Sequence, residues 1–216
     1  MSTIISFVKA PVAETGKGSN RLRKSNKEAA ETREAIVATA TDYIRRTGIA
    51  GASLADVMEA AGLTHGGFYR HFRNKEQLVA EALSNAGDKV VAAMSRNIAK
   101  GGIKAAVDSY LTTTRRDAPT PICPFAALGS ELARSGDETK AAATAALERL
   151  FATFSRDDVS YEAARGDAIV TLSTMIGAMT LARITSDSPL SKEILERVKE
   201  HLHRYAAPSS KIRRRK

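Results

Sequence analysis

The feature that most constrains the fold of this chain is a helical repeat of apolar residues, closely followed by two short helical segments. Four apolar residues fall on one face of a helix that is predicted to begin near Glu28 and to end at Gly48. These are Ile36, Ala40, Tyr43 and Ile44. This spacing predicts an amphipathic helix and is incompatible with a strand.

The two segments after Gly48 have the start and stop signals of short helices. Ser53 precedes Asp56 by three residues, which resembles a capping box for a helix over Leu54–Ala61. Gly62 breaks this helix, and Thr64 is predicted to cap a third helix that reaches about Phe72. A long helix followed by two short helices around a Gly-containing turn is the layout of a helix-turn-helix motif.

The remaining chain also shows helical periodicity. Asn74, with Gln77 three residues later, is predicted to cap a long fourth helix that runs to Gly101 and Gly102. Further helices are predicted over 103–116, 124–135, 137–154, 160–184 and 191–205. Because no convincing run of residues alternates as a strand requires, we expect an all-α fold of about nine helices, with an N-terminal three-helix domain and a C-terminal helical bundle.

Composition and charge define the expected domains. The chain has 216 residues, of which 43% are hydrophobic, and no stretch is long and apolar enough for a transmembrane helix or has the pattern of a signal peptide. We expect a basic arm over 1–27, the helix-turn-helix domain over 28–76, a ligand-binding and dimerisation domain over 77–207 and a basic tail over 208–216. The net charge of +9 attracts polyanions, although solvated tails would also explain it.

The third predicted helix separates an inward face from an outward face. Phe68 and Phe72 are four residues apart and are expected to face the core, which turns Gly66, Tyr69 and Arg70 outward. Two adjacent glycines in a helix cost roughly 1 kcal/mol each relative to alanine. Close approach of the backbone to DNA explains them, and a ragged helix start is the alternative.

The run from Thr32 to Leu78, and above all its segment GLTHGGFYRHFRNKEQL, resembles the DNA-binding domain of TetR-family regulators. This resemblance implies a cytoplasmic homodimer that binds a palindromic double-stranded DNA operator, usually as a repressor, and releases it when a small molecule binds. By the resemblance, Ser53 and Thr64 cap helices and contact phosphates. His65, Gly66 and Gly67 match positions that meet base edges, and Tyr69, His71 and Lys75 match phosphate contacts.

The two glycines depart from many relatives, because base-reading side chains often occupy these positions. We therefore expect His65 and Arg70 to supply most of the discrimination between bases, with DNA shape supplying the rest. Arg70 fits a guanine edge and a phosphate equally well. His71 has the alternative of a satisfied buried histidine, and Lys75 that of a solvated charge.

The C-terminal half is predicted to dimerise and to bind the effector. By the resemblance, the helices at 160–184 and 191–205 pack against the same helices of a second subunit. The apolar stripe of the first helix comprises Ala164, Ala168, Leu172, Met175, Ile176 and Met179, and that of the second comprises Ile194, Leu195, Val198, Leu202 and Tyr205. Ordinary core packing is the alternative. Candidate ligand contacts are Val91, Met94, Ile98, Tyr110, Leu111, Cys123, Phe125, Leu128, Phe151 and Phe154. Because these residues include no cluster of charges, an uncharged or weakly polar ligand is favoured.

Cys123 is the only cysteine, so the chain forms no internal disulfide and suits a reducing cytoplasm. Pro124 suits the first position of a helix, which places Cys123 at its N-cap. A helix N-terminus stabilises a thiolate, so Cys123 is a candidate sensor of electrophiles or oxidants; a buried inert thiol is the alternative.

Two other functional classes fit the sequence less well. An enzyme would need converging catalytic groups, whereas the histidines are His65 and His71 in the motif and His201 and His203 near the end, without the spacing of metal ligands. We expect no catalytic residue, metal or cofactor. A sequence-independent DNA-coating protein would use its basic arms alone, and an activator of the same fold differs only in where its operator lies.

Overall fold

The protein is described by a computed structural model that covers the backbone of residues 16–155 and 159–205. Within these ranges the chain forms eight α-helices and one 3₁₀ helix, without a strand. They are α1 (Gly16–Gly51), α2 (Leu54–Ala60), the 3₁₀ helix (His65–Arg70), α3 (Lys75–Tyr110), α4 (Thr113–Arg116), α5 (Pro124–Ala133), α6 (Asp137–Phe154), α7 (Tyr161–Ile184) and α8 (Pro189–Tyr205). The prediction of an all-α fold is confirmed.

The first helix extends further back than the sequence predicts. It begins at Gly16 rather than near Glu28, so part of the expected arm is helical, while residues 1–15 lie outside the described ranges. A helix that is anchored by a packed segment elongates at little cost, because each added residue gains one hydrogen bond. The apolar repeat marks only the packed part of α1. The predicted tail, 208–216, also lies outside the described ranges.

Two predicted helix breaks are present inside long helices. Gly48, at φ +82° and ψ 166°, kinks α1, and Gly101 and Gly102 kink α3, with Gly102 at φ +69°. A positive φ of this kind is easily adopted only by glycine. The axis therefore changes direction where the sequence places these glycines.

Two other predictions are wrong in detail. The third helix is not an α-helix that reaches Phe72 but a 3₁₀ helix that ends at Arg70. Its two glycines lower α-helix propensity, and Thr64, at the N-cap position, makes no side-chain capping bond. The helix predicted over 103–116 breaks after Tyr110, because the Thr112 side chain accepts a hydrogen bond from Arg115 N–H and so begins α4.

One hydrophobic core joins the N-terminal head, comprising α1, α2 and the 3₁₀ helix, to the rest of the chain. Helices α3 and α6 pack so closely that a Cβ built on Gly87 would lie 2.7 Å from the Cβ of Ala146. Below the head, α5 packs against α1 and α7, and α7 against α8. The head is thus held on a helical body by shared side chains.

The apolar stripe of α7 that was predicted to meet a second subunit lies within this chain. Ala164, Ala168, Leu172, Met175 and Met179 are all buried, and Ile176 is half-buried against the core. On α8, Leu195 and Leu202 are buried, Ile194 and Val198 are half-buried against the core, and the side chain of Tyr205 lies outside the described residues. The alternative of ordinary core packing is therefore correct for these residues, because periodicity shows that a face is buried but not what covers it.

Candidate nucleic-acid interface and effector cavity

The 3₁₀ helix is fixed by two buried phenylalanines. Phe68 and Phe72 are 0% and 2% exposed, and their rings stack with centroids 5.4 Å apart. Tyr69, between them in sequence, packs edge-on against the Phe68 ring but keeps 66% of its surface exposed. The predicted division into an inward and an outward face is confirmed.

The exposed side of this helix carries the predicted base-reading residues. His65, Gly66 and Arg70 are exposed, and the His65 ring lies edge-on to Tyr69 with centroids 6.5 Å apart. A Cβ built on Gly66 would meet no atom within 4 Å, and one on Gly67 would make only ordinary contacts at 3.8 Å. Packing inside the protein therefore does not require glycine at either position.

Arg33 of α1 braces the turn after the 3₁₀ helix. Its Nε donates to the carbonyl oxygen of His71 at 3.3 Å, and its guanidinium lies 4.6 Å from the centroid of the Phe72 ring. The same guanidinium pairs with Glu81 of α3. Arg33 therefore holds the half-buried His71 at a fixed position between two helices.

The capping residues occupy their predicted places with one exception. Exposed Ser53 accepts a hydrogen bond from Asp56 N–H at 3.1 Å, and Asn74 accepts one from Gln77 N–H at 2.8 Å. The Gln77 side chain in turn accepts a bond from Arg73 N–H at 2.8 Å. Thr64 is exposed and leaves its hydroxyl unused as a cap.

Lys75 is turned toward the body of the protein. Its Nζ donates to the carbonyl oxygen of Ile49 at 2.9 Å, and the side chain lines an open cleft of about 470 Å³ together with Glu131 and Arg134. An ammonium has three N–H donors, so this bond leaves two for another acceptor. Lys75 is half-buried rather than a solvated charge.

Two carboxylates make polar contacts beside this cleft, one between α5 and the head and one between α3 and α6. Glu131 of α5 accepts a hydrogen bond from Ala50 N–H at 2.9 Å, and Glu76 of α3 accepts one from Glu138 N–H at 3.1 Å. Glu138 lies in the first turn of α6, where backbone N–H groups have no acceptor inside the helix and attract negative charge. The head is thereby tied to the body by polar contacts as well as by the core.

Most of the predicted ligand contacts are packed in the core. Leu111 belongs to that cluster, and Val91 and Ile98 pack against it. Met94 and Phe154 are each 1% exposed, Phe125 is 8% exposed, and Phe151 is half-buried beneath the guanidinium of Arg165. Leu128 lines a small apolar cavity between α1, α3 and α5.

Tyr110 and Cys123 are the predicted contacts that the fold brings to one cavity, where Arg115 and Arg183 join them. Cys123 is the N-cap of α5, as predicted, but is 5% exposed. Burial raises the pKa of its thiol, although Tyr110, the N–H groups of α5 and the charge of Arg183 oppose the shift. The expected stabilisation of a thiolate is therefore outweighed by desolvation.

Comparison with known proteins decides the family. The sequence profile of "Bacterial regulatory proteins, tetR family" matches residues 36–82, which span the C-terminal part of α1, α2, the 3₁₀ helix and the start of α3. An uncharacterized HTH-type transcriptional regulator of Mycobacterium tuberculosis (MT0206) is 31% identical in an alignment of 174 positions that covers 72% of this chain and 86% of that relative. The chain belongs to the TetR family of transcriptional regulators.

Other relatives agree over part or all of the chain. TtgR, an HTH-type transcriptional regulator of Pseudomonas putida, is 41% identical over 64 residues, 30% of either chain. A TetR transcriptional regulator from Chloroflexus aurantiacus matches in structure with TM-score 0.67 and 28% identity, over 83% of this chain and 96% of the other. Reduced Escherichia coli NemR matches with TM-score 0.68 at 20% identity, over 81% and 96%, and shares the fold. As a member of this family of transcriptional regulators, the chain is not an enzyme.

Sequence reasoning missed the residues that support the site. Arg33, Glu131, Arg115 and Arg183 carry no motif signal, and each reaches a partner that is distant in sequence. Arginine and glutamate on helices usually read as solvated surface.

Proposed function

We propose that this TetR-family regulator is a cytoplasmic homodimeric repressor that binds a palindromic operator and is released by a small-molecule effector. The observation that carries the proposal is the exposed side of the 3₁₀ helix, which presents His65, Gly66 and Arg70 on a support of buried Phe68 and Phe72. A rigid backing with an exposed polar face is what insertion into a major groove requires.

The exposed residues divide by chemistry into base readers and phosphate contacts. The His65 imidazole and the Arg70 guanidinium suit base edges, and Gly66 and Gly67 let the backbone approach closely. The Tyr69 hydroxyl, the His71 ring and the hydroxyls of Ser53 and Thr64 suit phosphate oxygens. Lys75 contacts phosphate with the N–H groups that Ile49 leaves available.

The exposed face of α7 supports dimerisation in place of the stripe that lies in the core. Val170, Leu181 and Ile184 are 59%, 53% and 74% exposed and recur on one side of the helix. On the same side, Cβ atoms built on Gly166 and Gly177 would meet nothing within 4 Å, so a second helix has room to approach. Large apolar residues beside small ones are typical of a helix–helix interface.

The length and apolar composition of α7 would also satisfy a membrane span, the one such helix in the described part of the chain. Its other face, however, contributes Leu172, Met175 and Met179 to the core shared with α5, α6 and α8. Removing α7 into a bilayer would expose that core. We therefore infer that a second subunit, and not lipid, covers the exposed face.

Release by an effector requires that the ligand bind the DNA-free conformation more tightly than the DNA-bound one. The apolar environment of Phe125, Leu128 and Phe154 supports an effector with a largely uncharged or weakly polar body. An electrophile that modifies Cys123 is the second candidate, and the raised pKa of this thiol argues against it.

Genome-wide mapping of bound DNA followed by footprinting tests the proposal. We expect two symmetric protected segments whose centres lie roughly one helical turn, about 34 Å, apart or slightly more. Tight binding of a monomer to one asymmetric site would contradict it. Equal affinity for operator and random DNA would favour a coating protein, and increased transcription from the mapped promoter would identify an activator.

A further inference from the structure

The cavity between α3, α4, α5 and α7 is lined by hydrogen-bond donors that have no acceptor. Nη1 of Arg115 and Nε of Arg183 are buried and have no hydrogen-bond partner, and the buried Tyr110 hydroxyl has beside it only the thiol of Cys123, whose sulfur is a weak acceptor. A buried donor left without an acceptor costs about 1–3 kcal/mol, and more when it is charged. Two such charged donors and a weakly satisfied hydroxyl on residues that line one cavity are therefore unexpected unless something fills it.

The other N–H groups of the two arginines keep them at the cavity. Arg183 donates through Nη2 to the carbonyl oxygen of Arg115 at 3.0 Å, and Arg115 donates through Nε to that of Ser109 at 2.5 Å. Both acceptors are neutral backbone oxygens. The guanidiniums are thus positioned by the fold without having their charge neutralised.

Within residues 16–155 and 159–205, no carboxylate lines this cavity. The acid that lies near enough for Arg183 to lower its pKa is Asp117. Its two oxygens, however, bind Nε and Nη2 of Arg116 at 2.6 and 2.8 Å, and the side chain is 55% exposed. Two positive charges therefore adjoin a buried space with no internal counterion.

The size of the space limits what neutralises them. The centre of a water-sized sphere can occupy about 10 Å³ of the cavity. That space is roughly enough for one water-sized atom. A water molecule brings two lone pairs and two hydrogens that need acceptors of their own. An anionic atom instead accepts from all three donors and offsets the positive charge.

We propose that the cavity among Tyr110, Arg115, Cys123 and Arg183 binds a small monoanion, either a halide ion or one oxygen of a short carboxylate. The sequence favours an uncharged ligand because the candidate contacts include no cluster of charges. Arg115 and Arg183 are far apart along the chain and join these contacts only in the fold. Phe125, Leu128 and Phe154 do not line this cavity, so the anion is a second ligand class beside the uncharged or weakly polar effector of the proposed function. The proposal rests on that function only for any consequence to DNA binding, so its test contains no DNA.

The test uses the full chain at low ionic strength, with acetate, chloride and the neutral isostere acetamide as probes. Melting temperature and the alkylation rate of Cys123, the single cysteine on the cavity wall, are the two measurements. Acetate, chloride or both should raise Tm in a saturable way, whereas acetamide should not. If the occupied protein does not react, alkylation should be about elevenfold slower at ten times Kd. A response to acetate alone indicates a carboxylate, a response to chloride alone indicates a halide, and a response to both shows that the site accepts either anion.

Variants separate this site from general ionic effects. Arg183→Gln should lose the anion response, while Arg165→Gln, a change on the same helix whose side chain pairs with Glu148, should keep it. Tyr110→Phe removes a hydroxyl without a good partner, so it should remain folded and weaken the anion response. A response to acetamide as large as that to acetate, no response to either anion, or an unchanged response in Arg183→Gln and Tyr110→Phe would overturn the proposal. Should Arg183→Gln fail to fold, the wild-type comparison and Tyr110→Phe decide it.

Discussion

The carboxylate of Glu131 in α5 accepts a hydrogen bond from the backbone N–H of Ala50, 2.9 Å away, just beyond the kink of α1. The absence of a side chain at Gly48 leaves room for this carboxylate, because a Cβ on Gly48 would lie 2.7 Å from Oε1 of Glu131. One glycine therefore both turns the helix and admits the carboxylate that ties the head to α5.

Replacing Gly48 by alanine should destabilise the protein more than replacing Gly62. Gly62 has φ +72° with no atom near an added Cβ, so Gly62→Ala reports backbone strain alone, of order 1–2 kcal/mol. Gly48→Ala would also displace Glu131 and break its hydrogen bond to Ala50. Because Ala50 is exposed and its N–H can bond to water instead, we expect this to cost only about 1 kcal/mol of stability. Urea unfolding of both variants, with Glu131→Ala in each background, measures the difference. Full additivity of Gly48→Ala and Glu131→Ala would show that the two residues are not coupled.

Close packing of α3 on α6 should make Gly87→Ala destabilising. The new methyl group would approach Ala146 to 2.7 Å, and neither Cβ can rotate away, so we expect a loss of about 1–3 kcal/mol. Gly129→Ala is the matched control: Gly129 lies exposed on α5 with nothing near an added Cβ, and should gain about 0.5–1 kcal/mol. Thermal unfolding distinguishes the two; a stabilising Gly87→Ala would mean that the helices separate without cost.

Substitutions in the head should separate base reading from phosphate binding. Lys75→Ala and Tyr69→Phe should weaken binding to all DNA alike, and Lys75→Ala should reduce the salt slope by about one unit. His65→Ala should instead relax discrimination at one or two base pairs. The measurement is a matrix of variants against single-base operator changes, with Tm as a control because Lys75 also binds Ile49. Altered base preference in Lys75→Ala, with an even loss in His65→Ala, would reverse the assignment.

A charge on the exposed face of α7 should weaken the dimer. Leu181 is 53% exposed, so Leu181→Asp costs little in the isolated chain but places a carboxylate in the proposed interface. Ala145→Asp, at an exposed position of α6, is the control. Sedimentation velocity should show dissociation of Leu181→Asp at concentrations where wild type and Ala145→Asp remain dimeric. Unchanged sedimentation of Leu181→Asp would place the interface elsewhere.

The buried thiol should be slow to react. Because burial raises the pKa of Cys123, its thiolate forms only at higher pH than in the unfolded chain. The stability that this raised pKa confers is therefore complete at pH values below the pKa of the unfolded chain. It is lost as pH rises through the pKa of the folded protein. Alkylation rates across alkaline pH, with urea-unfolded protein as the reference, test this. Faster reaction of the folded protein at neutral pH would restore Cys123 as a sensor candidate.

The sequence by itself determined the local structure of the head. Ser53 and Asn74 cap helices as predicted, and the spacing of Phe68 and Phe72 correctly assigned the inward face of the third helix, although not its 3₁₀ geometry. These features depend on residues within a few positions of one another. Caps, glycine breaks and side-chain periodicity depend on local interactions, so they can be predicted from the sequence.

Only the tertiary structure decided which partner each surface meets. The stripe from Ala164 to Met179 is apolar whether another helix of this chain or a second subunit covers it, and the fold assigns it to the core. The ammonium of Lys75 and the guanidiniums of Arg115 and Arg183 were placed by contacts with distant segments. Such contacts depend on how helices pack in space, and residues that are far apart along the chain carry no local signal of their meeting.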